Sequence, residues 1–174
     1  FQIEISGDIL PLFKQGIIKR PYGNVSVCAG EVMLITPVDQ DFATITPEDI
    51  ISIDLPHGQL DKTEGVPSEY CLHQAIYNKK ADTLGIIHTH QMNVETAAKA
   101  GLEVFPMLDD VAQLIGASIK VADPSLPYGT KDSAQLLKRL KRRSAVLLKN
   151  NGGLCLGADL DEAHAVAIVL DKGC

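Results

Sequence analysis

Two histidines one residue apart, His88 and His90, close the apolar stretch LGIIHTHQMN that begins at Leu84. Leu84, Ile86 and Ile87 read as a short buried strand, and side chains two apart on a strand point to the same side. Both imidazoles therefore leave the strand end together. Such a pair can hold a divalent metal if at least one more ligand arrives from elsewhere in the chain. The plainer alternative puts one histidine in the core and the other in solvent.

Other candidates lie apart from this pair. Pro67-Ser68-Glu69 stands where an irregular loop turns into a helix. Ser68 suits the cap of that helix and Glu69 its first turn, so capping alone accounts for both, although a helix N-terminus also attracts anions. Gly23-Asn24-Val25-Ser26 is a glycine turn entering a strand, where free backbone N–H groups and small polar side chains can hold a phosphate or carboxylate. Taken alone, a purely structural turn is the favoured reading. Lys138 to Arg143 (KRLKRR) falls in the last turns of a helix, where cations complement the dipole on a solvated face. Asn150-Asn151-Gly152-Gly153 reads as a turn, and His57, His73 and His164 as incidental.

The elements that must position these residues follow from periodicity and punctuation. Asp8 to Gly16 has helical spacing, and Val25–Cys28 with Val32–Thr36 reads as a hairpin. Thr46 to Asp49 starts a brief turn before a strand at Ile50–Asp54. Helices are expected at Ser68–Asn78, Asn93–Ala100, Asp109–Ile115, from a Thr130 cap to about Lys141, and at Leu160–Leu170. The last begins with a capping-box pattern, Asp159 and Glu162. Strands are expected at Ser118–Ala122 and Ala145–Leu148. The first half is hairpin-rich and the second alternates strand with helix, which predicts one α/β domain with a mixed sheet.

Composition narrows the function. A chain of 174 residues is normally one domain able to bury its own core. A net charge of −6 leaves no excess of Lys and Arg to neutralise phosphates, which excludes a general nucleic-acid binder. No apolar run reaches membrane-spanning length and the start lacks a secretion signal. The four cysteines, Cys28, Cys71, Cys155 and Cys174, form no C-x-x-C pair, so a reduced, cytoplasmic setting is expected. The chain opens on Phe1, not Met, so its beginning is expected to lie inside a longer sequence.

Taken in order, GNVSV at Gly23–Val27, MLITP at Met33–Pro37, PSE at Pro67–Glu69, HTH at His88–His90, YGT at Tyr128–Thr130 and NNG at Asn150–Gly152 resemble the class II aldolase/adducin family. The resemblance implies a central, largely antiparallel sheet flanked by helices, assembled as a homotetramer with sites between subunits. It implies zinc or another divalent metal on His88 and His90, with Asn151 in the third ligand position. Glu69 becomes the proton-transfer residue, and Asn24, Ser68 and Thr36 become substrate or phosphate contacts. The implied reaction cleaves or forms a carbon–carbon bond in a small carbonyl or sugar-phosphate substrate through an enediolate. There are departures from the pattern. Asn151 stands where a third histidine is usual, Pro67 replaces a second serine, Asp39 replaces a glycine and Cys28 an arginine. Part of the N-terminal helix and the family's C-terminal segment, which often supplies a tyrosine acid, are also expected to be missing from residues 1–174. Two readings follow: a metal-dependent lyase, favoured by the retained Glu69 and histidine pair, and a non-catalytic adducin-head-like binding module, favoured by Asn151, Pro67 and Asp39.

Overall fold

The computed structural model describes residues 14–15, 17–18, 22–38, 40–61, 64–125 and 128–174. The helix expected at Asp8–Gly16 and the substitution at Asp39 therefore lie outside the described residues. Seven strands form one sheet: β1 (Asn24–Ala29), β2 (Val32–Ile35), β3 (Ile51–Asp54), β4 (Gly85–Thr89), β5 (Lys120–Ala122), β6 (Ala145–Leu148) and β7 (Gly153–Gly157). Their order across the sheet is β3-β2-β1-β4-β7-β6-β5. Neighbours run antiparallel except β5 and β6, which are parallel, as a mixed and largely antiparallel sheet requires.

The helices are α1 (Tyr70–Tyr77), α2 (Met92–Ala100), α3 (Asp109–Leu114), α4 (Thr130–Leu140) and α5 (Leu160–Gly173). Alternation along the strands divides the core in two. Ile86 packs with Leu72 and Ile76 of α1 and Leu136 and Leu140 of α4. Ile87 faces the other way, with Val94 and Ala98 of α2, Val111 of α3 and Val166 and Leu170 of α5. Each fully buried Ile contributes about 1.5–3 kcal/mol of hydrophobic stabilisation. His88 follows Ile86 by two residues, so it emerges on the α1 and α4 side, at the end of a strand locked between β1 and β7.

Several local expectations are corrected. Ser68 does not cap α1: Glu69 holds the N-cap position without a side-chain cap, and the Ser68 hydroxyl donates to Glu69 Oε2 at 3.2 Å. Thr130 is the first helical residue of α4, and Gly129 precedes it as N-cap. The α5 start is as the pattern predicts, with Asp159 accepting from Glu162 N at 2.8 Å and Glu162 accepting from Ala158 N at 2.6 Å. Leu84 stands before β4 and is exposed. β7 has no counterpart in the sequence expectations.

Candidate functional site

The site forms where β1, β4, the β6–β7 turn and the start of α1 meet. Antiparallel pairing puts Asn24 directly opposite His88. The β6–β7 turn is tightened by Leu148 N donating to Gly152 O at 2.9 Å. Gly152 has φ +63, and a Cβ there would collide with the Thr89 carbonyl. Only glycine lets this turn close onto the end of β4, and closure sets the Asn151 carbonyl 2.8 Å from His88 Nε2.

Asn151 ties the segments together. Its Nδ2 donates to Glu69 Oε1 at 3.0 Å and to the Tyr128 hydroxyl at 2.9 Å. Glu69, at the start of α1, thus shares one hydrogen-bonded set with His88 of β4. Burial raises the Glu69 pKa, but the neighbouring His88 and the Asn151 amide outweigh it, and the carboxyl titrates below the usual value. Tyr128 is raised by burial and by Glu69 and keeps its proton at neutral pH.

The two rings of the His-x-His pair lie side by side, with centroids 4.5 Å apart. His90 Nδ1 is 2.9 Å from Glu95 Oε1, and since a carboxylate only accepts, Nδ1 carries a proton, which in the neutral ring leaves Nε2 as the acceptor. This is how a carboxylate orients a metal-binding histidine. His88 is engaged differently. Its Nε2 faces a carbonyl and so donates, and its Nδ1 accepts from Asn24 Nδ2 at 3.4 Å. Burial, with His90 beside it, pushes the His88 pKa down to about 4.

The sequence-derived candidates separate accordingly. Glu69, His88, His90, Asn151 and Asn24 converge. Ser68 is exposed and reaches Glu69. Thr36 is fully buried, and its hydroxyl accepts from Val25 N at 3.0 Å, bracing β1 next to Asn24. Among the described residues, no three His, Cys, Asp or Glu side chains form a metal-binding set. The donors present therefore suit a cation held by two imidazoles and oxygen groups, with His90 prepared and His88 obliged to release the Asn151 carbonyl. Sequence reasoning assigned no role to Tyr128, Glu95 or His73. Glu95 follows His90 by five residues in the first turn of α2, and His73 stands four after Glu69 on the same face of α1, a spacing that signals proximity.

The His-x-His pair thus closes the central strand of a mostly antiparallel, seven-stranded mixed α/β sheet. The sequence profile of the Class II Aldolase and Adducin N-terminal domain family matches residues 9–174, and the chain belongs to that family. Its relatives include L-fuculose phosphate aldolases. One from Methanococcus maripaludis is 32% identical over 151 residues, covering 86% of this chain and 81% of the relative. That of Escherichia coli K12 is 27% identical over 161 residues, covering 92% and 74%. A solved L-fuculose 1-phosphate aldolase superposes with a TM-score of 0.87 at 28% identity, over 98% of this chain and 82% of that one. The L-fuculose-1-phosphate aldolase of Thermus thermophilus shares the fold, with a TM-score of 0.81 at 23% identity over 99% and 88%.

Proposed function

We propose that this protein is a divalent-metal-assisted aldolase-type lyase acting on a small hydroxylated carbonyl compound of the ketose phosphate kind. The observation that supports this most is that Glu69 and the His88–His90 pair meet at one end of β4, with Asn151 bonding both Glu69 and His88. His88 and His90 would hold Zn²⁺ or a similar ion, which supplies Lewis acidity at a carbonyl or hydroxyl oxygen. Glu69, ionised at neutral pH, takes the substrate hydroxyl proton as the carbon–carbon bond breaks and returns a proton to the product carbon. Tyr128 accepts from Asn151, so its own hydroxyl proton is free to point at a ligand. Ser68, exposed beside Glu69, is the candidate contact for an anionic group of the substrate, while Asn24 and Thr36 are buried and brace β1 and the His88 ring.

The test is retro-aldol cleavage of L-fuculose 1-phosphate and related ketose phosphates by the protein supplied with Zn²⁺. Aldehyde release that disappears in Glu69→Gln is the expected result. A folded, metal-loaded protein that releases none across the series would leave the binding-module reading standing. We propose further that the chain forms a homotetramer, as the family resemblance implies; Leu102, Phe105 and Met107 between α2 and α3, and Met92 at the start of α2, are exposed apolar side chains that an interface would cover. Light scattering on purified protein should give four times the chain mass; a monomer would refute this.

A further inference from the structure

Behind Glu69, α1 carries His73 into the sheet, where it is fully buried. Its Nδ1 lies 2.8 Å from Ser26 Oγ, Ser26 Oγ lies 2.8 Å from the Tyr77 hydroxyl, and that hydroxyl lies 3.0 Å from the Ser26 carbonyl. These three contacts have three protons to share. The carbonyl only accepts, so the Tyr77 proton goes there. The Ser26–Tyr77 contact must then use the Ser26 proton, and the Ser26–His73 contact must use a proton on His73 Nδ1. His73 is therefore the Nδ1–H tautomer, and its Nε2 is a bare acceptor without a partner.

The same bookkeeping fixes Asn24. His88 Nε2 faces the Asn151 carbonyl and must carry the proton, so its Nδ1 requires a donor. The Asn24 amide is thus held with Nδ2 on the ring and Oδ1 turned away, buried and also without a partner. Asn24 and Ser26 are two apart on β1 and share a face, about 7 Å along the strand. His88 stands opposite the first and His73 abuts the second. Among the described residues these are the two buried side-chain polar atoms left unpaired, both are acceptors, and both belong to neighbours of His88: Asn24 bonds its ring, and His73 is near enough to feel its charge. An unpaired buried acceptor is costly.

We propose that Asn24 Oδ1 and His73 Nε2 share one buried water, whose two O–H groups satisfy both. A molecule with two donors is what a pair of acceptors selects, and water has two donors in the smallest volume. The water extends the Tyr77–Ser26–His73 chain to Asn24. That makes His73 a positioning residue for the Asn24 amide and, through it, for the His88 ring. The inference rests on hydrogen-bond counting alone and is independent of the lyase reading, so its test needs no turnover.

A crystal structure of the full chain without added metal, at about 1.5 Å resolution, should show one solvent peak within about 2.7–3.2 Å of both atoms. Nitrogen-15 NMR should find His73 with a pyridine-like Nε2 and a protonated Nδ1, and His73→Phe should remove the solvent peak. An Nε2–H tautomer, an empty site, a metal ion in the peak or direct pairing of either atom with a protein group would overturn the proposal. Because the wild-type chain supplies the first two measurements, the outcome does not depend on the variant folding.

Discussion

The two histidines of one motif have opposite surroundings. His88, on the floor, is held at both ring nitrogens by Asn24 and by the Asn151 carbonyl, with its proton on Nε2. His90, at the rim, donates its Nδ1 proton to Glu95, which in the neutral ring leaves Nε2 as the acceptor. A repeated residue type therefore does not mean a repeated role. His90 is the proposed ligand whose ring is already held by a carboxylate, while His88 links the proposed acid/base Glu69 to the strand end through Asn151.

That contrast can be broken from either side. The largest effect is expected at Glu69: Glu69→Gln keeps a hydrogen-bonding partner for Asn151 but removes the base, and should lower cleavage about 10²–10⁴-fold without changing thermal stability appreciably. Rate and unfolding temperature measured together check this. On the rim, Glu95→Gln should weaken metal binding about 10–100-fold by loosening the His90 ring, as read by competition with a chromogenic chelator. On the floor, Asn151→His should tighten metal binding by about tenfold or more by supplying a third imidazole. An unchanged affinity would mean that this position does not face the cation.

The smallest expected effect is on stability in acid. Burial and the neighbouring His88, opposed by Glu69, leave His73 with a pKa pushed down to about 3, against about 6.5 for an ordinary histidine. Between those values the unfolded chain binds a proton that the folded chain does not, so stability is intact above pH 6.5 and falls as pH drops. One such group contributes a slope of about 1.4 kcal/mol per pH unit. Denaturant unfolding of metal-free protein from pH 7 to 5 should show this limb, and His73→Phe should flatten it by that amount.

Much of this was legible from residues in sequence. Ile86, Ile87 and the two histidines that follow carry both the strand and the pair, and Asp159 with Glu162 marks the start of α5. The segment from Gly153 to Gly157 was not legible as a strand. Only Leu154, Cys155 and Leu156 lie between its glycines, and glycine punctuates loops in most sequences. Its extended form comes from pairing with β4 and β6. At Gly157 a Cβ would collide with the backbone at the start of α5, so the small residue is a packing demand that no local pattern announces. His73 was illegible for a related reason. Nothing in YCLHQAIY distinguishes a solvated histidine from one aimed at Ser26, because the contact spans 47 residues.

We propose that His88 and His90 converge on one cation beside Glu69. Calorimetric titration of metal-free protein with Zn²⁺ tests it most directly. Binding of about one ion per chain that is lost in His90→Ala is the predicted result. No binding at all, or binding that His90→Ala leaves unchanged, would contradict it.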